Sequence, residues 1–184
     1  MCLQQKGCIS KGLSVIIILL AAVAAFLLPR YVGQFEKTRA LSMQAMLINV
    51  LIAQDAYYAK QGVFTDDWQT LLPNIEKPAS LQPQLQAIAG QPQNYFIGFG
   101  QNAAKKQNGY IVSLALQEDK QSGTITATRT PNWFYAYQLR RALPVGKLEC
   151  SGKNKSFCNK IIHAVEEFEL ENLVPVEKEP EKGA

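Results

Sequence analysis

Three groups of side chains in this chain are of types that could do chemistry. Cys150 and Cys158 stand seven residues apart in the intervening sequence, with His163 close behind. A structural zinc site takes four such ligands, so the count is short, and the open alternative for the two thiols is a bond to each other. Glu166, Glu167, Glu169 and Glu171 cluster, but on a helix they read as a solvated acidic face. Gly98-Phe99-Gly100-Gln101-Asn102-Ala103 satisfies the dinucleotide pattern G-x-G-x-x-A after a strand. That pattern needs a helix whose N-terminus holds the pyrophosphate, whereas residues 104–109 form a short polar turn into another strand, and the match is rejected. Asn154-Lys155-Ser156 is a glycosylation triplet of a kind that arises often by chance. With a lone histidine, no phosphate loop, no serine elbow and no paired-histidine motif, the expectation is a protein that is not an enzyme and carries no cofactor and no metal.

The elements that position these residues are bounded by size. A chain of 184 residues and 20.4 kDa holds one domain and an appendage. With 47% hydrophobic and 18% charged residues it is neither disordered throughout nor wholly membrane-embedded. The 19 Lys and Arg are scattered among 15 acids, giving a net charge of +4 without a basic stripe. Arg140-Arg141 and Lys153, Lys155 and Lys160 could give local positive patches, which leaves nucleic acid a possible but unsupported partner.

The apolar residues concentrate in 13–28, LSVIIILLAAVAAFLL, where Ser14 is the one polar interruption. As a helix this run spans about 24 Å, short of a hydrocarbon core of about 30 Å unless Tyr31, Val32 and Phe35 extend it. Three processing routes compete. A secretory signal would be cut near Ala22-Val23-Ala24. A lipoprotein would need a cysteine after the run, and Cys8 precedes it. A cut between Gly12 and Leu13 would leave the anchor in the mature chain. Lys6 and Lys11 on one side and Arg30, Lys37 and Arg39 on the other leave the orientation open by charge counting.

Beyond Pro29, residues 36–60 contain no Gly or Pro and predict a continuing helix. Met43, Met46, Leu47, Val50, Ala53 and Tyr57 form one apolar stripe; Leu41, Ala45, Ile48, Ile52 and Ala56 form a second. Two stripes suit either a broad core-facing helix or one that packs on its own domain and on neighbouring subunits. Gly62 predicts the helix stop, and Thr65-Asp66-Asp67 an N-cap for a short helix over 68–72, ended by Pro73. Residues 73–93 read as connecting structure with a small helix over 84–89. Strands are expected over 94–99, 110–116 and 124–129, with turns at Gln107-Asn108-Gly109 and Gln121-Ser122-Gly123, and a fourth over 133–140. A short helix over 159–168 and a solvated tail follow. The fold class is α+β, a long helix with a hydrophobic first half packed against a C-terminal antiparallel sheet.

The order of several motifs resembles the type IV pilin and pseudopilin family. Lys11-Gly12-Leu13-Ser14 is similar to its leader junction and Pro29-Arg30-Tyr31 to the Pro-x-Tyr that closes its apolar segment. Glu36-Lys37-Thr38-Arg39-Ala40, Ala53-Gln54-Asp55-Ala56-Tyr57-Tyr58 and Gly62-Val63-Phe64-Thr65 resemble its first helix and exit loop. The resemblance implies a leader over 1–12, cut after Gly12 by a prepilin peptidase and methylated at Leu13. It implies a transmembrane or filament-core helix over 13–35, a periplasmic head over 36–173 and a flexible tail over 174–184. The implied partners are membrane lipid, inner-membrane assembly machinery and other pilin subunits. The implied location is a single pass of the inner membrane, then a pilus or pseudopilus reaching the cell surface in motility, adhesion, DNA uptake or protein secretion. Cys2 and Cys8 would lie in the reducing compartment and Cys150 and Cys158 in the exported part, paired like the C-terminal disulfide loop of pilins. Pro29 and Gly33 are candidate bends. Ile17 stands where the family usually has glutamate, and Leu13 where phenylalanine is more frequent, which points to a minor subunit. The rival expectation is a secreted or tethered periplasmic binding protein.

Overall fold

The structure is a computed structural model that describes residues 11–77, 83–99, 109–130, 135–144 and 146–173, with side chains over 13–167. The chain forms two compact units, Met1–Thr38 and Arg39–Ala184, and the first helix crosses the boundary between them.

That helix, α1 (Lys11–Gln61), runs through Pro29 without ending. It stops at Gly62, whose φ of 74° few other residues adopt at low cost and whose N–H reaches the Tyr58 carbonyl at 2.7 Å. Asp67 then caps α2 (Trp68–Leu71) by accepting from the Gln69 N–H at 2.9 Å, and a 3-10 turn, Leu72–Asn74, absorbs Pro73. The cap falls where the pattern places it, and the α-helix ends at Leu71, one residue before the expected end, with helical backbone continuing through Pro73 in the 3-10 turn.

Six strands follow: β1 (Pro83–Ile88), β2 (Gln91–Phe99), β3 (Gly109–Leu116), β4 (Gly123–Arg129), β5 (Tyr137–Leu143) and β6 (Leu148–Gly152). They pair antiparallel in chain order as one sheet. The helix expected over 84–89 is instead strand β1. Leu85 pairs with Ile97 and Ala87 with Tyr95, and Gly90 at φ 76° turns the chain back. A run as short as Gln84 to Ala89, with its apolar residues at 85, 87, 88 and 89, fits both periods, and the partner strand decides. The strand expected over 133–140 begins at Tyr137 and runs on to Leu143; residues 131–134 lie outside the described residues. The β3–β4 connection is wider than the predicted turn: Gln117 N–H donates to the Ser122 carbonyl, and Lys120 adopts φ 54°.

Alternation in β4 is clean. Ile125, Ala127 and Arg129 are buried, while Thr124, Thr126 and Thr128 form the partly exposed outer face. The inner face packs Tyr95, Ile97, Tyr110, Val112, Leu114, Ile125 and Leu139 against Met43, Met46, Leu47 and Val50 of the C-terminal part of α1, which are fully buried or nearly so. The β3–β4 turn reaches back to the end of α1. Phe64 N–H donates to the Lys120 carbonyl at 2.9 Å, the Gln121 amide to the Gly62 carbonyl at 2.9 Å, and the Tyr58 hydroxyl to the Gln121 side chain at 2.7 Å.

The last helix, α3 (Lys155–Leu173), starts earlier and runs longer than expected. Asn154 caps it, accepting from the Phe157 N–H at 3.0 Å, which gives the residue of the glycosylation triplet a structural task. Phe157, Ile161 and Val165 are buried against the core, and the Cys150–Cys158 disulfide ties α3 to β6 with Cα atoms 5.3 Å apart. A closed loop of this length stabilises by about 2.5 kcal/mol in the chain-entropy account. The tail over 174–184 lies outside the described residues.

Candidate functional site

The largest unexplained feature is a surface. Along the first unit, Leu13, Val15, Ile16, Ile17, Ile18, Leu19, Leu20 and Val23 are each more than half exposed, and Phe26 is 86% exposed. An amphipathic helix would hide one side of such a run; this one is apolar on every side and covered on none. Water exposure of that area is unfavourable by roughly 25 cal/mol per Å2, so the surface calls for an apolar environment. The helix is long and apolar enough to cross a membrane.

The expected processing residues sit at its start. Lys11, Gly12 and Leu13 all lie within α1. Leu13 is 51% and Ile17 54% exposed. Pro29 and Gly33 are both inside the helix, and Tyr31 packs edge-on against Phe35 with ring centroids 4.8 Å apart.

In the second unit the two stripes of α1 part company. The first is buried, except for Tyr57 at partial exposure. Of the second, Leu41, Ala45 and Ile48 are half-buried and Ile52 and Ala56 exposed, so the head leaves an apolar band uncovered.

The residues with catalytic potential are not brought together. Nδ1 of His163 lies 3.3 Å from Glu167 one turn on, and both side chains are well exposed. Gly98 and Phe99 end β2, and Gly100 to Ala103 lie outside the described residues. Among the described residues no three His, Cys, Asp or Glu stand close enough to share a metal. An open depression of about 430 Å3 is lined by Ile111, Thr128, Gln138, Ser151 and Lys153.

Two polar features lie outside the expected site residues. Gln54, buried in α1, clamps the exit loop through the peptide groups of Thr65: its amide donates to the carbonyl at 2.6 Å and accepts from the N–H at 3.1 Å. Arg129 is buried on the inner face, donating to the Gly109 carbonyl and the Thr130 hydroxyl, both at 3.0 Å, over the Tyr110 ring. The alternation that buries Ile125 and Ala127 also puts Arg129 inside, a signal present in the sequence. Near the loop, Asp67 is held below the usual carboxylate range, first by the Thr70 hydroxyl at 2.6 Å and then by the Gln69 N–H.

Comparison with known proteins finds no family model, no curated protein and no solved structure that matches the chain.

Proposed function

We propose that this protein is a pilin-like structural subunit, held in the inner membrane by the first half of α1 until that helix is packed against the helices of other subunits in a pilus or secretion pseudopilus. One observation carries the reading: the apolar surface of residues 13–35 is exposed all round while the same helix continues into the core of a folded head. Lipid and a bundle of like helices are the two environments that satisfy it, so transfer between them never exposes the surface to water. The half-covered band from Leu41 to Ala56 supports contacts between neighbouring heads. The work is assembly and not chemistry, the leader is removed after Gly12 by a prepilin peptidase, and Ile17 in place of an acid suits a minor subunit.

Intact mass and N-terminal sequencing of the chain recovered from its native membrane test this. The expected result is a methylated N-terminus at Leu13. A start near Ala25 would mean secretion of a soluble protein and would end the filament reading.

A further inference from the structure

The apolar run does not end on neutral ground. A helix of about 20 residues spans the roughly 30 Å hydrocarbon core. Counted from Gly12, that length ends at Tyr31, which places the Tyr31–Phe35 ring pair where aromatic side chains favour the boundary between hydrocarbon and headgroups. Both rings are more than half exposed: Tyr31 is 62% and Phe35 54% accessible.

Two cations flank the pair. Arg30 and Lys37 are both exposed and lie seven residues apart, so they share a side of the helix about 10 Å apart along its axis. Gly33 stands between them toward the same side and leaves the backbone bare of a side chain there. Side chains on a helix lean toward its N-terminus, which carries the Lys37 ammonium toward the boundary at Tyr31 while the Arg30 guanidinium stays about two turns nearer the apolar run on the same side. The acid of this stretch, Glu36, is buried, so the exposed charge here is positive.

From this juxtaposition we infer that Arg30, Lys37 and the Tyr31–Phe35 pair form a collar that binds anionic phospholipid headgroups, selecting lipids with a net negative charge from those around the anchor. The two cations attract headgroup phosphates along that side of the helix and the rings fix the depth. This rests on the anchoring part of the function proposed above and adds the class of lipid. A cation near a membrane surface favours anionic lipid by about fivefold, and added salt weakens the effect.

The test uses the full chain reconstituted in phosphatidylcholine vesicles carrying a trace of spin-labelled lipid, either phosphatidylglycerol or phosphatidylcholine. The fraction of label immobilised by the protein is read by electron spin resonance. The expected result is a severalfold preference for the phosphatidylglycerol label that falls to near parity in Arg30→Gln/Lys37→Gln, survives in Arg30→Lys, and weakens in half-molar salt. An immobilised fraction of equal size for both labels, or a preference that the double substitution leaves intact, overturns the collar while the anchor stands. No immobilised lipid for either label would overturn the anchor and the collar together.

Discussion

The two ends of α1 are built from similar apolar residues and meet opposite fates. Ile17 is 54% exposed and Val50 fully buried, although each belongs to the same uninterrupted helix. The difference lies in what separates the apolar positions. In the second half, polar residues interrupt at a spacing that leaves one side for the sheet; in the first half only Ser14 interrupts residues 13–28, and no single face is offered. Periodicity therefore tells whether a helix packs on its own domain, and its absence tells that the partner must surround it.

The contrast is broken most forcefully by charge. Leu20→Arg with Val23→Arg puts two cations near the middle of the apolar run, an unfavourable change of about 5–7 kcal/mol for insertion. Carbonate extraction should then release the chain from membranes. The counterpart, Leu47→Ala, should lower the unfolding free energy of the head by about 2–5 kcal/mol and leave membrane association untouched. A doubly charged variant that resists extraction would show that the two halves do not differ as described.

Within the buried half, two glutamines sharpen the comparison. Gln54 satisfies both peptide groups of Thr65, whereas both amide atoms of Gln44 are buried without a hydrogen-bond partner. Gln54→Met should destabilise by about 1–3 kcal/mol because it strands a buried N–H and carbonyl. Gln44→Met, which removes stranded atoms at similar volume, should be neutral or stabilising by about 1 kcal/mol. Denaturant unfolding of the full chain in detergent ranks them, and the reverse order would refute the bonding assignment.

The smallest effect is at Asp67. Its carboxyl is held below its unfolded value, so its contribution is present above about pH 4 and is lost as pH falls through the folded value. The stability difference between the protein and Asp67→Asn should be flat near neutrality and narrow in acid. A difference that widens in acid would have the wrong sign.

Much of this architecture is written in local pattern. Gly62, the Asp67 cap and the alternation through Ile125, Ala127 and Arg129 each specify their own geometry. The pairing of Cys150 with Cys158, favoured by the short metal-ligand count and by the family resemblance, is present in the structure. β1 was not legible, because Gln84 to Ala89 fits a helix until Ile97 and Tyr95 are beside it. β6 was missed for a related reason. Leu-Glu-Cys-Ser-Gly has no β-branched residue and gains its strand character from pairing with β5. The uncovered band on α1 was visible as a second stripe, but only burial separates the stripe that the head covers from the one it leaves bare.

The sheet's order has a consequence for how the head is made. Every strand pairs with its immediate predecessor in the chain, so no strand waits for a partner that has not yet been synthesised. Short loops close at little entropic cost, and sequences dominated by such local pairings fold quickly. The head can therefore assemble its sheet one hairpin at a time as the chain emerges, with α3 arriving last to lock the final strand.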